Sequence, residues 1–230
     1  MLLCVWSPKG GSGTSVFAAA CALALARAGG ARLGDLVGDQ PAVLGLGVEP
    51  DRGLRDWLRV GADAPTDALE RIAVGAGRAL ALLPAGGGDL AGVAPEAGAA
   101  LGVALRSSDV PTVLDAGSEV VPAVDALLEV ADATVVAMRG CYLALRRAAR
   151  SPIVARSAGV VLLEESGRAL GAREVHDVLG VPVLATVAVR ASVARVVDAG
   201  VLATRLPDTL GRPARELLSR VGFGCEGRAA

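Results

Sequence analysis

Short apolar runs alternate with helical stretches along almost the whole chain of 230 residues. The apolar runs are nearly continuous in Val, Leu and Ala, which is typical of strands that are covered on both faces. Gly or Pro marks most junctions between runs, as expected where one element ends and the next begins. This alternation predicts an α/β fold with a doubly wound, mostly parallel sheet and helices on both faces.

The pattern assigns each predicted element to a short range of residues. The predicted strands are 2–6, 32–37, 79–83, 112–115, 133–138, 159–163 and 182–187. The predicted helices are 15–28, 53–60, 66–74, 95–106, 120–130, 143–150, 172–179, 192–199 and 213–221. We expect a single domain over residues 1–222 and a disordered tail over residues 223–230.

The composition excludes two classes of protein. The chain is 53% apolar and 20% charged with a net charge of −1, whereas disordered proteins combine low hydrophobicity with high net charge. No stretch reaches the roughly 18 uncharged apolar residues of a membrane span, and no basic segment precedes the first apolar run. We therefore expect a soluble, cytoplasmic protein.

The cysteines and the single histidine do not indicate a metal site or a catalytic triad. Cys4, Cys21, Cys141 and Cys225 lie far apart and form no C-x-x-C pair, so we expect them to be small core residues. His176 is the only histidine and stands in a polar helical stretch, so no Ser-His-Asp arrangement is indicated.

Charge is divided unevenly along the chain. Residues 1–138 carry a net charge of −7 and residues 139–230 a net charge of +6. The densest basic group contains Arg139, Arg146, Arg147 and Arg150. The asymmetry can mark a surface that binds anions, of which nonspecific DNA at Arg146, Arg147 and Arg150 is one candidate. The alternatives are a solvated basic helix face and charge complementarity between subunits or within the chain. With five aromatic residues in the chain, a base-stacking surface is not indicated.

A glycine-rich segment, residues 7–15 (SPKGGSGTS), joins the first predicted strand to the first predicted helix. A phosphate-binding loop requires this strand–loop–helix context. Glycines let backbone N–H groups turn toward an anion, and the helix N-terminus adds partial positive charge. Ser15 stands where a hydroxyl would coordinate Mg²⁺, so a nucleotide phosphate site is favoured over a plain structural turn.

The segment KGGSGTS resembles the deviant Walker A motif of the ParA/MinD family of P-loop ATPases, K-G-G-x-G-K-[ST]. Four further stretches resemble this family in the same order: ARLGDLVGDQPAVLGLG, GLRDWL with LALLPAG, DVPTVLDAG, and ADATVVAMRGCYLALRRAAR. They correspond to switch I, the family's LPaG stretch, the Walker B strand, and the strand and helix after it. The resemblance covers residues 1–221 and is greatest to TadZ/CpaE proteins and to actinobacterial septum-site-determining or partitioning proteins.

The resemblance implies an ATPase fold that binds ATP or ADP with Mg²⁺ and forms a homodimer around the nucleotide. Its nucleotide-binding residues would be Lys9, Gly10, Gly11, Ser12, Gly13, Thr14 and Ser15. Lys9, the only lysine in the chain, would reach the partner's phosphates, where a compact ammonium fits better than a guanidinium. Ser15 would bind Mg²⁺ directly, and Asp35 and the Walker B residue Asp115 would bind it through water.

Several positions depart from the family pattern. Thr14 replaces the lysine that grips the β- and γ-phosphates, and loss of a charge-assisted hydrogen bond of about 1.5–3 kcal/mol predicts roughly 10- to 100-fold weaker binding. Val37 replaces the aspartate that orients the attacking water, and Asp39 is the candidate substitute for that catalytic role. Near the base, Glu164 stands where the family often has Asn, and Ala188 replaces a Pro. We expect at most weak ATP hydrolysis.

Two functions remain open. The first is an ATP-dependent dimerisation switch that positions a pilus secretion, septum or chromosome partition assembly through a protein cargo. The alternative is a non-hydrolysing pseudo-ATPase scaffold that acts through protein–protein contacts. A metal-cluster protein of the same superfamily would need paired cysteines, which the chain lacks. The apolar stripe of residues 214–223 is expected to pack on the core rather than to bind a membrane.

Overall fold

A computed structural model describes residues 1–224. Within this range the chain forms one sheet of eight strands. The strands are β1 (Leu2–Trp6), β2 (Ala31–Asp35), β3 (Val74–Gly75), β4 (Leu80–Leu83), β5 (Thr112–Gly117), β6 (Ala133–Arg139), β7 (Gly159–Glu164) and β8 (Val183–Ala188).

Helices follow most of the strands. They are α1 (Thr14–Ala28), α2 (Gln40–Leu44), α3 (Leu54–Val60), α4 (Ala68–Ile72), α5 (Pro95–Arg106), α6 (Pro122–Val130), α7 (Tyr142–Ala148), α8 (Pro152–Arg156), α9 (Ala172–Leu179), α10 (Ala191–Asp198) and α11 (Asp208–Arg220). None of the helices in the described part of the chain combines the length and the apolar character needed to cross a membrane.

The strand order is β3-β4-β2-β5-β1-β6-β7-β8. All neighbouring strands are parallel except β3, which pairs antiparallel with β4 at the edge. Strand β1 lies between β5 and β6, so the chain continues to one side through β2 and β4 and to the other through β6, β7 and β8. Open sheets of this kind bind ligands at the carboxyl ends of the strands, where the order reverses. The loop after β1 lies at this point.

Both faces of the sheet are covered, as the sequence predicts. Leu3 and Val5 of β1 belong to an apolar cluster with residues of α1, α2 and α11. Leu2, Cys4 and Trp6 belong to a second cluster with residues of α3 and of α5 to α9. Every residue of β1 is therefore buried, which explains why this strand has a continuous apolar sequence.

Some element bounds differ from the predicted ones for local reasons. Val74, predicted to end a helix, instead pairs with Leu82 in the edge strand β3. Helix α11 begins at Asp208 rather than at Pro213, because an internal proline removes one helical hydrogen bond without ending this helix. The five-residue helices α2 and α8 have no counterpart among the predicted helices, since such short segments contain no complete apolar period.

The C-terminal helix packs on the core. Leu217 and Leu218 are fully buried in the cluster that contains α1. Phe223, which the sequence assigns to the tail, is buried too, and its backbone N–H donates to the carbonyl of Leu218 at 2.8 Å. The packed part of the chain therefore extends beyond the predicted domain end at residue 222. The remainder of the predicted tail, residues 225–230 with Cys225, lies outside the described residues.

Candidate functional site

The glycine-rich loop connects the carboxyl end of β1 to α1. Gly11 and Gly13 adopt φ angles of 73° and 82°, a region that favours glycine. No atom lies within 4 Å of the position that a Cβ of Gly11 would occupy, so the loop is open at its tip. Among the described residues, the N–H groups of Thr14 and Ser15 in the first turn of α1 have no protein acceptor. Unpaired N–H groups at a helix N-terminus attract anions.

A cleft of about 590 Å³ opens beside the loop, within the usual size range of ligand sites. Its walls come from the loop, the turn after β2, helix α2, the turn after β5 and the last turn of α10. The lining residues are Gly10, Gly11, Ser12, Gly13, Thr14, Ser15, Val16, Val37, Asp39, Ala42, Val43, Gly117, Ser118, Val197 and Asp198. The fold therefore brings six of the seven predicted nucleotide-binding residues to one cleft.

The charge of the cleft wall is negative. Asp39 and Asp198 line it, and within residues 1–224 the lining contains no Lys, Arg or His side chain. The predicted lysine, Lys9, does not line the cleft of its own chain. Its Nζ donates to the carbonyl of Gly10 at 3.1 Å, and its own carbonyl accepts hydrogen bonds from Ser7 and Ser12. Any positive charge at the cleft must therefore come from outside it.

Ser15 and Asp39 meet on one wall of the cleft. The Ser15 hydroxyl donates to Asp39 Oδ2 at 3.3 Å and lies within reach of the Asp115 carboxyl as well. A hydroxyl and a carboxylate are both oxygen ligands of the kind that Mg²⁺ prefers. Asp39 thus stands beside the predicted metal ligand, and its predicted role in orienting water stays a prediction.

Asp115 is fully buried at the end of β5. Its Oδ1 accepts the N–H of Gly117 at 3.1 Å and its Oδ2 accepts Nε2 of Gln40 at 2.9 Å. Burial raises the pKa of Asp115 to about 6, and the nearby Asp35 charge adds to the rise. Hydrogen bonds from Ser15, Gln40 and Gly117 oppose it. A cation that binds near Asp115 would favour the ionised form of this buried carboxyl over its protonated form.

Asp35 pairs in register with Asp115 across β2 and β5, and it is fully buried too. Its Oδ1 accepts the N–H groups of Val37 and Gly38 at 2.8 Å, and its Oδ2 accepts that of Gln40 at 3.0 Å. Burial raises the pKa of Asp35, although these three hydrogen bonds lower it. The side chain therefore holds the turn after β2, and its predicted contact with a water of the Mg²⁺ shell stays a prediction.

Sequence reasoning assigns no role to Gln40, which the structure places beneath the cleft. Its side chain is fully buried and bonds both Asp115 and the carbonyl of Ser15. A signal for it exists in the sequence: Gln40 is the only side-chain carboxamide of the chain, which has no Asn and no other Gln.

Two of the positions that depart from the family pattern, Thr14 and Val37, line the cleft. Thr14 is buried in the first turn of α1 and contributes a short neutral side chain where a cation was expected. A Cβ built on Gly117 would come within 2.6 Å of Val37 Cγ2, so the valine side chain packs against the turn after β5. Val37 has no polar group with which to hold a water molecule.

A mainly apolar slot of about 270 Å³ adjoins the cleft, and Gly13, Val16, Val197 and Asp198 line both. Ala188 at the end of β8 lines the slot, as do Val187 and Val189. The region that the resemblance assigns to the nucleotide base therefore borders the phosphate loop. Glu164 at the end of β7 is exposed and is not among the residues that line the slot.

The remaining sequence candidates lie elsewhere. Arg146, Arg147 and Arg150 are exposed on and just after α7, without a carboxylate partner in the described range. Arg139, from the same basic group, is paired with Glu165 instead. The alternative of a merely solvated face therefore stays open for the three exposed arginines.

The histidine and the described cysteines have structural surroundings. His176 Nδ1 lies 3.0 Å from the carbonyl of Val181, and the residue does not line the cleft. Cys4 and Cys21 are buried as predicted, and Cys141 is partly buried.

The fold implies that Mg²⁺ binds together with the nucleotide, so the oxygen ligands at the cleft must fit this ion. Within residues 1–224 no group of three or more His, Cys, Asp or Glu side chains is arranged to hold a metal ion. Mg²⁺ in nucleotide sites is bound by one or two carboxylates and the substrate phosphates, and it retains several waters. Ser15 and Asp39 on the wall, with Asp115 beneath, fit that pattern.

The chain matches no protein-family model and no curated protein. Among solved structures it is similar to a ParA family ATPase from Chlorobium tepidum TLS (19% identity, 93% of this chain and 95% of that chain, TM-score 0.74). It is similar to the septum site-determining protein MinD of Pyrococcus horikoshii OT3 with Mg-ADP (18%, 96% and 95%, 0.74). A third structure is the MinC:MinD cell division complex of Aquifex aeolicus (16%, 97% and 96%, 0.74).

These similarities show that the chain has a P-loop nucleotide-binding fold, built on a mostly parallel sheet. Within that class, the eight-stranded sheet and its helices match the fold of the ParA and MinD ATPases over nearly the whole chain. This confirms the predicted fold.

Proposed function

We propose that this chain is an ATP-binding dimerisation switch of the ParA/MinD family with a degenerate active site. The observation that carries the proposal is the cleft, which combines an open glycine loop, unpaired N–H groups at a helix start and two buried carboxylates. A loop of this kind binds phosphate groups. The similarity to a MinD structure with Mg-ADP supports a nucleotide as the ligand, either ATP or ADP.

Mg²⁺ would be held at Ser15 and Asp39, with Asp115 and Asp35 contacting it through water. When bound, the ion would supply positive charge to the phosphates of the nucleotide. The chain's own residues orient the site: Asp35 fixes the turn that carries Asp39, and Gln40 fixes Asp115. These contacts give a preformed wall against which the phosphates can be positioned.

Hydrolysis is weak or absent in this proposal. Thr14 offers no charge to the β- and γ-phosphates, and Val37 presents an apolar group to the cleft. Asp39 lines the same cleft, and it is bonded to Ser15. The nucleotide would therefore act as a ligand that favours one quaternary state rather than as a substrate with fast turnover.

Dimerisation supplies the missing cation. Because Lys9 lies outside the cleft of its own chain and its Nζ makes one exposed hydrogen bond, to the carbonyl of Gly10, this group could turn to the phosphates bound by a second copy. Nucleotide binding and dimerisation are then coupled, and the coupling is reciprocal: the nucleotide favours the dimer and the dimer tightens the nucleotide.

Sedimentation of wild type, Lys9→Ala and Lys9→Arg with and without Mg-ATP tests this coupling. Lys9→Ala should weaken dimerisation and nucleotide binding together, and Lys9→Arg should not restore them, since a planar guanidinium does not fit a compact site. Arg27→Ala, which removes one exposed positive charge near the end of α1, the helix that follows the loop, is the matched control and should behave as wild type. Equal dimerisation of wild type and Lys9→Ala, without dependence on ATP, would contradict the switch.

The second candidate function is a constitutive pseudo-ATPase scaffold, and Thr14 and Val37 in the cleft favour it.

Under either function the partners would be a second copy and a protein cargo, since one structural neighbour is a MinC:MinD complex. We propose a cytoplasmic role in positioning a pilus, septum or partition assembly, of the TadZ/CpaE or actinobacterial type. Nonspecific DNA would be an additional partner only if Arg146, Arg147 and Arg150 bind it.

A further inference from the structure

Gln40 is the first residue of α2, and it is the only carboxamide side chain in the chain of 230 residues. Its side chain is fully buried. It lies beneath the cleft but is not among the lining residues. A buried polar side chain that does not face the ligand requires a structural or a positioning reason.

The contacts of Gln40 join three parts of the candidate site. Its backbone N–H donates to Asp35 Oδ2 at 3.0 Å. Its Nε2 donates one hydrogen to Asp115 Oδ2 at 2.9 Å and the other to the carbonyl of Ser15 at 3.0 Å. The residue therefore ties the carboxylate at the end of β5 to the first turn of α1 and to the turn after β2.

These bonds fix the orientation of the amide, and within residues 1–224 they leave its buried Oε1 without a hydrogen-bond partner. An amide flip would bring Oε1 against the Ser15 carbonyl and the Asp115 carboxyl, which are both acceptors. A buried acceptor without a hydrogen-bond partner destabilises the folded protein. Met would leave Asp115 Oδ2 and the Ser15 carbonyl without these donors, so the hydrogen bonds explain the NH₂ group of the amide but not its unpaired Oε1.

We propose that Gln40 is a positioning residue of the magnesium–triphosphate site, holding Asp115 against the Ser15 turn and offering Oε1 as acceptor to a water that enters with the hydrated ion. This inference rests on the proposed function. It concerns the chain's own residues: Gln40 contacts neither the nucleotide nor the metal, and it acts through Asp115 and Ser15.

The direct test compares Gln40→Met with wild type in binding of a fluorescent ATP analogue, once with Mg²⁺ and once with EDTA. Removing a residue that orients a metal ligand typically lowers metal affinity roughly 10- to 100-fold. We expect Gln40→Met to lose about this much of the Mg²⁺-dependent affinity while its affinity in EDTA stays within about twofold of wild type. Leu44→Val, which alters the buried packing of the same helix without removing a polar group, is the matched control and should retain the Mg²⁺ dependence.

The wild-type protein offers a second measurement that needs no variant. Because Gln40 is the only carboxamide, a ¹⁵N-labelled sample has a single pair of carboxamide NH₂ resonances. We expect this pair to shift when Mg²⁺ is added to the complex with a non-hydrolysable ATP analogue. An unmoved pair at saturation, or a Gln40→Met variant with wild-type Mg²⁺ dependence, overturns the inference. If wild type binds no nucleotide in Mg²⁺ or EDTA, the proposed function itself fails, and this inference fails with it.

Discussion

Replacing Asp115 with Asn should change how the stability of the ligand-free protein depends on pH. Asp115 is fully buried, and burial with the neighbouring Asp35 charge raises its pKa to about 6, compared with an ordinary value of 3.8. At 1.36 kcal/mol per pKa unit, this difference corresponds to about 3 kcal/mol of unfolding free energy. The ionised form is therefore the less stable form of the folded protein.

The sign of the effect follows from the two pKa values. Because the folded-state pKa lies above the unfolded-state value, the native chain binds more protons than the unfolded chain between pH 3.8 and about 6. Stability from this carboxyl is fully present below pH 3.8 and is lost as the pH rises through 6. Burial also raises the pKa of Asp35, so this residue contributes to the pH dependence in the same direction. Asp115→Asn should remove only the contribution of Asp115 to the pH dependence of the unfolding free energy.

Urea unfolding between pH 3.5 and 7.5 with EDTA present is the assay. Between the ends of this range, wild type should lose about 3 kcal/mol more stability than Asp115→Asn. Asp63→Asn, an exposed aspartate in the turn after α3, is the control and should follow the wild-type curve. Parallel curves for wild type and Asp115→Asn would refute the argument, since the buried carboxyl would then carry no net penalty.

Two further predictions concern turnover and DNA. The double change Thr14→Lys and Val37→Asp should raise ATP hydrolysis from near background, measured as phosphate release; a wild-type kcat already within ~1–10³ s⁻¹ would contradict the degenerate site. Replacing Arg146, Arg147 and Arg150 with Glu should abolish duplex binding in an electrophoretic mobility assay at about 50 mM salt, where phosphate-driven binding is strong. If wild type does not bind DNA at that salt concentration, the exposed arginines are a solvated face.

The fold was predictable because its main signal is the alternation of buried strands and helices. Strand β1 could be predicted from its continuous apolar sequence alone, since both of its faces are buried. The elements that were not predicted correctly are those whose bounds depend on pairing or packing with other elements. The edge strand β3 has two residues and depends on pairing with β4, and helix α11 continues through Pro213 because its other turns pack on α1 and β8.

The candidate site was predictable where residue type and spacing specify it. The loop residues 10–15 line one cleft, and Asp115 lies beneath it. The position of Asp39 beside Ser15 and the bonds of Gln40 were not predictable, because both depend on the turn after β2, which Asp35 holds with three backbone hydrogen bonds. A turn fixed by a buried side chain leaves no periodic signal in the sequence.

The electrostatics of the cleft connect nucleotide, metal and dimer. Two buried carboxylates lie beneath a wall that carries Asp39 and Asp198 and, in the described part of the chain, no cationic side chain. A triphosphate adds further negative charge, which the loop's partial positive charges cannot balance alone. Arg139 and Arg190 line the adjoining slot, and under the proposed function further positive charge would enter the cleft as Mg²⁺ and from a second copy through Lys9. Under that proposal each of the three events would lower the free energy of the other two, and a cleft without its own cationic side chain would be a poor enzyme but a sensitive switch.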